Sequence, residues 1–326
     1  MRKSMILLLL LALMVGLAAC DNDDDVVIGG IITGALHRVE YGGNVVYLFG
    51  TYHSSRTEWF PLSEVVEDAL RNSDVLLLEI EELGLGSSGH MAIQQAFRSM
   101  QYLPTGLTWS EYLPEDAYNH LVEVLDTWDV RYENVRSVHP LLLVIDLENW
   151  LEFSLADLND TFFDIVDVYI AGRARELDLP IIGLESLEQE IDMFYNPPFE
   201  VMLARIMKFK PLEESTEAFS NWPTLNDYAT YYENNDFDSL LSIIAHEAGS
   251  RNECLYITYY RDIVFNLRSE NFANEIIRLL QETKEPTTFF VAVGLSHIIR
   301  SGAGEEFTDI VQQLRLAGFT VTPIWQ

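Results

Sequence analysis

Short runs of hydrophobic residues recur along the chain and predict six β-strands. Runs rich in Val, Ile, Leu and Phe with few polar positions are typical of strands that are buried on both faces. The first two runs flank Gly42-Gly43, a pair that is typical of a tight hairpin turn. The predicted strands cover residues 35–41, 44–49, 74–80, 179–183, 287–293 and 320–324.

The intervals between these runs show the periodicity of amphipathic helices. Apolar residues there recur every three to four positions, as on the buried face of an amphipathic helix. We expect the mostly helical stretch from 90 to 176 to form a cap. Predicted helices cover residues 61–72, 91–100, 115–128, 140–151, 163–177, 255–283 and 307–317. The pattern predicts an α/β fold, with a mixed central β-sheet flanked by helices and carrying a large helical insertion.

The first residues follow the pattern of a bacterial lipoprotein signal. A basic start at Met1-Arg2-Lys3 precedes an apolar stretch at 6–17 that is too short to span a bilayer comfortably. The sequence Leu17-Ala18-Ala19-Cys20 then places small residues before a cysteine, as a lipoprotein signal peptidase requires. We therefore predict a signal peptide at 1–19 and a lipid anchor on Cys20. A cleaved secretory signal with an incidental cysteine is the alternative.

An acidic segment separates the predicted anchor from the rest of the chain. Residues 20–34 include the run Asp21-Asn22-Asp23-Asp24-Asp25, which we interpret as a solvated tether before a domain at 35–326. Asp21 directly after the cysteine resembles the Gram-negative signal for retention in the inner membrane, and outer-membrane delivery stays open. The prediction is an extracytoplasmic, periplasmic domain that is anchored to a bacterial membrane through its lipid.

The chain is strongly acidic, with a formal net charge of −31 at pH 7 over 326 residues. Affinity for nucleic acid depends on basic contacts with phosphates, and the sequence contains no basic stripe, so we predict no nucleic-acid partner. Divalent ions or a cationic partner suit this charge better. Cys254 is the only cysteine besides Cys20, which argues against an intrachain structural disulfide.

A Gly-x-x-His sequence follows a predicted strand near each end of the domain, at Gly50 to His53 and at Gly294 to His297. Glycine allows a sharp turn at the end of a strand, and open α/β folds bind their ligands beyond the carboxyl ends of the strands. We expect both imidazoles to meet at one edge of the sheet, as metal ligands or general bases. Each histidine alone would more often be a structural residue.

Two glutamates end predicted strands. Glu79 closes the apolar run at 75–78, where a carboxylate is costly unless it is paired, protonated or bound to a metal. A strand-end residue already in water is the alternative interpretation. Glu185 follows Gly183-Leu184 at another strand and is a candidate second ligand, a base or a partner for an arginine.

These motifs together resemble the TraB/GumN family. The resemblance covers about residues 35–326 and rests on segments at 47–53, 74–79, 179–185, 268–276 and 291–297. Arg268 fits the family's helix motif, whereas Ser269 stands where that motif has asparagine. The resemblance implies an erythromycin-esterase-like or haem-binding-lipoprotein-like fold. For the Tiki branch of the family it implies metal-dependent peptide hydrolysis.

The favoured hypothesis is a divalent-metal-dependent hydrolase of the metalloprotease kind, acting on a peptide or a small molecule. His53, His297 and a carboxylate from Glu79 or Glu185 would hold one Mn, Co or Zn ion with an open position for water. The remaining carboxylate would act as general base. Arg268 would bind a substrate carboxylate or stabilise an oxyanion.

Two other classes of function stay open at this point. The protein could bind haem or another metal-bearing ligand as a lipoprotein without turnover. It could also be a non-catalytic module that binds a protein partner and retains the fold.

Overall fold

The computed structural model describes residues 30–53, 55–155, 165–250 and 254–324, without the side chains of 247–250. The segment predicted as the signal peptide, the candidate anchor Cys20 and residues 21–29 of the acidic tether lie outside the described residues. Among the residues described, no helix is both long enough and apolar enough to cross a bilayer.

Six strands form one mixed sheet in the described part of the chain, and each corresponds to a predicted strand. Their bounds are β1 His37–Tyr41, β2 Asn44–Thr51, β3 Val75–Ile80, β4 Ile181–Glu185, β5 Thr288–Gly294 and β6 Val321–Pro323. The spatial order is β4-β3-β5-β2-β1-β6. β4, β3, β5 and β2 are parallel to one another, whereas β1 is antiparallel to both β2 and β6. The predicted α/β class with a mixed sheet is confirmed.

Helices fill every interval except the β1–β2 hairpin. Between β2 and β4 they are α1 Glu64–Arg71, α2 Ser87–Met100, α3 Trp109–Tyr112, α4 Glu115–Thr127, α5 Tyr132–Val135, α6 Pro140–Leu155 and α7 Val166–Glu176. After β4 they are α8 Leu187–Tyr195, α9 Phe199–Ile206, α10 Leu212–Ser220, α11 Leu225–Glu233, α12 Phe237–Ser250, α13 Leu255–Tyr259, α14 Arg268–Glu282, α15 Ser296–Ile299 and α16 Ile310–Leu316. Short 3₁₀ turns lie at Thr57–Trp59, Glu81–Leu85 and Arg300–Ala303.

The predicted long helix at 255–283 consists of three segments. A π-helical segment, Tyr260–Leu267, joins α13 to α14. Single π turns within helices occur often at functional sites. In this chain the π-helical segment ends immediately before Arg268, the first residue of α14.

The buried hydrophobic residues form two clusters. The sheet core surrounds β2, β3 and β5, whose central residues are almost fully buried, and includes the inner faces of α1, α7 and α14. The cap core is a second cluster, and its buried members lie at 103–151 and 202–209. Within it the ring of Trp128 stacks on Phe209 with centroids 5.2 Å apart.

The cap core differs from the predicted cap at its boundaries. Helix α7 was expected to belong to the cap, but Val166, Ile170 and Ala174 pack in the sheet core. Segments that follow β4 complete the cap core instead, because Met202 and Phe209 are among its buried members. Hydrophobic periodicity identified these helices but not the partner against which each one packs.

The four parallel strands end at the same edge of the sheet, because parallel strands share one direction. The register aligns Thr51 of β2 with Gly294 of β5, and Ile80 of β3 with Glu185 of β4. The two Gly-x-x-His turns and the two strand-end glutamates therefore lie along this edge. In open α/β sheets this is the edge at which ligands bind.

Candidate metal-binding site at the carboxyl edge of the sheet

The space above Gly294 is bordered by three of the predicted site residues. A Cβ built on Gly294 would lie 3.3 Å from Oε1 of Glu79, 3.6 Å from Nε2 of His53 and 3.8 Å from Cδ2 of His297. Glycine leaves this volume free, so that two imidazoles and a carboxylate face one small region. The structure thus brings together residues that are 244 positions apart in the chain, from 53 to 297. We call this group, together with Glu185 and Arg268, the edge site.

His297 is fixed by contacts on both ring nitrogens. Its side chain is buried, and Nδ1 lies 2.8 Å from the hydroxyl of Ser269. Nη1 of Arg268 lies 3.5 Å from Nε2, and because a guanidinium only donates, Nε2 must be the acceptor. The proton therefore lies on Nδ1 and is donated to Ser269. Burial, aided by the charge of Arg268, lowers the pKa of His297 to about 3, so the ring is neutral at pH 7.

Glu79 joins the two halves of the edge site. Its Oε1 accepts a hydrogen bond from the backbone N–H of Gly294 at 2.7 Å and lies 4.0 Å from Nε2 of His297. Its Oε2 accepts a hydrogen bond from Nη2 of Arg268 at 2.8 Å. Burial opposes the charge of this carboxylate, but Arg268, the two imidazoles and the backbone N–H of Gly294 together outweigh burial and lower the pKa to about 2. The carboxylate is therefore ionised, as a metal ligand must be.

Arg268 bridges the two strand-end glutamates. The guanidinium is buried, and its Nε donates to Oε1 of Glu185 at 2.9 Å while Nη2 contacts both Glu185 and Glu79. Its carbon Cζ lies 5.1 Å from the ring centroid of Phe194 and 5.2 Å from that of Phe272. Two of the three guanidinium nitrogens are thus engaged with carboxylates. The third nitrogen, Nη1, lies 3.5 Å from Nε2 of His297, and the contact of Arg268 with substrate stays a prediction.

Glu190 is a member of this region that sequence reasoning missed. It lies on α8, and one oxygen each of Glu79, Glu185 and Glu190 fall within 4.8 Å of one another, a spacing compatible with a shared metal ion. Burial and the charge of Glu79 raise the pKa of Glu190 to about 7. The signal available in the sequence was an acidic residue five positions after the strand-end Glu185, on the helix that follows.

His53 lies at the open side of the edge site. Its Nδ1 is 3.2 Å from Oδ2 of Asp167, a buried residue on α7 that the sequence reasoning also missed. Desolvation opposes a positive charge on His53, but the Asp167 carboxylate raises the pKa above its usual value. Because 62% of the His53 side chain is exposed, water screens part of both effects.

The donor atoms at this edge fit a divalent transition metal. The chain offers imidazole nitrogens and carboxylate oxygens beside a volume that only glycine leaves open, and such mixed ligands suit Zn, Mn and Co. The nearby guanidinium opposes cation binding, but three glutamates outnumber it. Among the described residues, the group whose donor atoms all lie within 4.8 Å of one another is Glu79, Glu185 and Glu190. The predicted ligands His53 and His297 border the same region beside Glu79.

Comparison with known proteins places the chain in a family. A profile described as the TraB/PrgY/gumN family matches residues 35–323, so the protein belongs to that family, as its motifs predicted. The chain is also similar to a protein named metalloprotease TIKI2 from Xenopus tropicalis. The two are 22% identical in an alignment that covers 86% of this chain and 58% of that relative. No solved structure matches the chain at a significant level.

Proposed function

We propose that the protein is a divalent-metal-dependent hydrolase whose active centre is the edge site. The observation that carries the proposal is the convergence of His53, Glu79 and His297 around the space above Gly294. Two imidazoles and one ionised carboxylate are a ligand set found in catalytic metal sites, which keep one position open for water or substrate. His297 is already neutral, whereas His53, whose pKa is raised, would release a proton on binding the ion. The partly exposed ring of His53 supplies the accessible side.

Each residue has a distinct task in this proposal. His53, His297 and Glu79 would hold a Mn, Co or Zn ion, which when bound would act as a Lewis acid and lower the pKa of water. Glu190 replaces Glu185 as the favoured general base, since Glu185 is engaged by Arg268 whereas a pKa near 7 suits proton transfer at neutral pH. Arg268 keeps Glu79 ionised.

The family and the similar metalloprotease support peptides as the substrate class. Because the chain spans 58% of that relative's length, the relative's activity is carried to this protein only as part of the proposal. Peptide bonds and esters present the same polarised carbonyl to a metal-assisted hydrolase, so both belong in a first substrate screen.

Metal binding and hydrolysis test the proposal together. Purified protein, stripped with chelator and titrated with Mn, Co or Zn, is expected to bind one ion per chain by calorimetry and to cleave members of a peptide and ester library. His53→Ala and His297→Ala are expected to lose both properties. His120→Ala is the matched control, because His120 lies on α4 in the cap, where its Nε2 lies 3.1 Å from the carbonyl oxygen of Phe209. If the protein binds no ion and all three variants keep the same hydrolytic activity, the proposed metal-dependent hydrolase function is wrong.

The same samples distinguish a hydrolase from the other function classes. A Soret band on addition of haem would identify a haem-binding lipoprotein. Stoichiometric metal binding without turnover of any library member would favour a ligand-binding protein that retains the fold.

We further propose that Cys20 anchors the protein to the outer side of a bacterial membrane, with Asp21 favouring the inner membrane in a Gram-negative host. The support is the sequence pattern at 17–20. Wild-type protein is expected in the membrane fraction with radiolabelled palmitate attached, and Cys20→Ser is expected to lose the label. A labelled Cys20→Ser variant would contradict the anchor.

A further inference from the structure

Asp167 forms a buried hydrogen-bonded chain beneath His53. Its carboxylate is 1% exposed, and Oδ1 accepts a hydrogen bond from the hydroxyl of Thr51 at 2.7 Å. Oδ2 lies 3.2 Å from Nδ1 of His53. The histidine thus has a buried carboxylate on the ring nitrogen that faces away from the edge site.

The position of this carboxylate is set by helix α7. Asp167 is the second residue of the helix, where the N-terminal dipole favours a negative charge. Further along α7, the hydroxyl of Tyr169 donates to the buried Glu67 of α1 at 2.6 Å, and Nε of Arg173 lies 3.4 Å from the same side chain. These contacts tie α7 to α1, so the carboxylate presents a fixed acceptor to the histidine.

An ionised carboxylate only accepts hydrogen bonds, so Nδ1 of His53 must carry a proton. In the neutral ring, Nε2 then bears the lone pair. Nε2 is the atom that lies 3.6 Å from the Cβ position above Gly294, beside Oε1 of Glu79. With 62% of the His53 side chain exposed, the contact with the buried Asp167 restrains the orientation of the ring.

We propose that Asp167 is a positioning residue, which holds His53 in the tautomer and orientation that direct Nε2 into the edge site. The inference rests on the proposed metal-dependent function and adds a residue that none of the sequence motifs contains. Carboxylates that orient ligand histidines typically change metal affinity by about 10–100-fold when they are removed.

Asp167→Asn tests the inference with little change of shape. The amide can donate to Nδ1, which moves the ring proton to Nε2 and blocks the lone pair. We expect zinc affinity, measured by competition with a chromogenic chelator, to fall by about 10–100-fold. In metal-free protein, nitrogen-15 NMR of the neutral imidazole is expected to show the His53 proton on Nδ1 in the wild type and not in the variant.

Asp309→Asn is the matched control. Asp309 is also 1% exposed and caps α16, where it accepts backbone hydrogen bonds from Ser301 and Gln312, both at 2.7 Å. Its replacement is expected to lower thermal stability and leave zinc affinity unchanged. An equal loss of zinc affinity in both variants would show that Asp167 acts through general stability, which overturns the inference.

A double-mutant cycle decides whether Asp167 acts through His53. In a His53→Ala background, Asp167→Asn is expected to cause no further loss of zinc affinity. If Asp167→Asn does not fold, Asp167→Glu retains the charge, displaces the acceptor by one methylene and is expected to weaken zinc binding in the same way. Wild-type affinity in the folded Asp167 variant would overturn the inference. Wild-type protein that binds no zinc would instead sink the proposed function, and the tautomer spectrum would then decide the role of Asp167 alone.

Discussion

The sheet core and the cap core differ in what they bury. Among the described residues, no buried polar or charged residue lies in the cap-core segments 103–151 and 202–209, and the nearest one along the chain is Ser215 on α10. The buried polar and charged residues elsewhere include the edge-site residues Glu79, Arg268 and His297 and the positioning residue Asp167. The cap core is held by apolar packing, which tolerates volume-conserving exchange, whereas the sheet core ends in an ionic network that does not. The residues of the proposed active centre thus lie at the edge of one of the two hydrophobic clusters.

The largest effect is expected from Arg268→Met, which leaves Glu79 and Glu185 buried together without their cation. Removing one partner of a buried ion pair costs about 3–5 kcal/mol. We expect that loss of unfolding free energy at pH 7, measured by urea denaturation in chelator. The matched change Arg71→Met breaks an exposed pair with Asp68 and should cost less than about 1 kcal/mol.

The loss of unfolding free energy that Arg268→Met causes, relative to the wild type, should become smaller as the pH falls from 7 toward 4. In the wild type the pKa of Glu79 is lowered to about 2, so this group stabilises the native state above its unfolded pKa and that contribution is lost on acidification. Without Arg268, burial raises the same pKa above the unfolded value, so the native variant takes up protons and gains stability. A deficit that stays constant with pH would show that the ion pair is not its source.

A matched pair of leucines tests whether the two cores unfold separately. Leu78 on β3 and Leu121 on α4 are both fully buried, and replacement of either by alanine should cost about 3 kcal/mol. Leu121→Ala is expected to speed hydrogen exchange in α4 and α6 while the strands stay protected. Leu78→Ala should speed exchange in the strands. If hydrogen exchange in the strands is accelerated equally in both variants, the two cores unfold as one cooperative unit.

Gly294→Ala probes the edge site without touching either core. The added methyl group would lie 3.3 Å from Glu79 and 3.6 Å from His53, in the space where these donors meet. We expect zinc affinity to fall at least about tenfold, equivalent to about 1.4 kcal/mol, with the fold retained. Gly172→Ala on α7 is the control, because its methyl would contact only Arg175, at 3.7 Å. If Gly294→Ala binds zinc as tightly as the wild type, the ion does not bind in the space above Gly294.

The smallest effect is expected from Ser269→Ala, which removes the acceptor for the Nδ1 proton of His297. Loss of this buried hydrogen bond should cost about 1 kcal/mol. Zinc affinity should fall as well, but by less than in Gly294→Ala. Ser215→Ala in the cap removes a 3.3 Å hydrogen bond to Lys210 and should leave zinc affinity unchanged. A change in zinc affinity with Ser215→Ala would refute the separation of the two regions.

Strands and turns were predictable because their signals are local. Apolar runs located all six strands, and a glycine followed by histidine three residues later identified both turns at the sheet edge. The strand predicted at 179–183 lies two residues later, at Ile181–Glu185, where it forms a partly buried edge strand. That shift places Glu185 inside the strand instead of after it.

Contacts between side chains that are distant in the chain were harder to predict from the sequence. Asp167 lies 114 positions from His53, and nothing in the spacing of the chain indicates that they meet. The engagement of Arg268 by two glutamates was also missed, because the residue type fits substrate binding equally well. Such contacts depend on which helix packs over which strand, a choice that periodicity does not encode.

The π-helical segment Tyr260–Leu267 lies just before Arg268 and can accommodate a change in the number of residues. A wider turn accommodates an additional residue locally, so the flanking helices keep their angular phase. In an unbroken α-helix, an insertion or deletion of one residue would rotate everything beyond it by about 100°. We expect single-residue length changes within 260–267 to be absorbed there, so that α13 can diverge between relatives while Arg268 continues to face the two carboxylates.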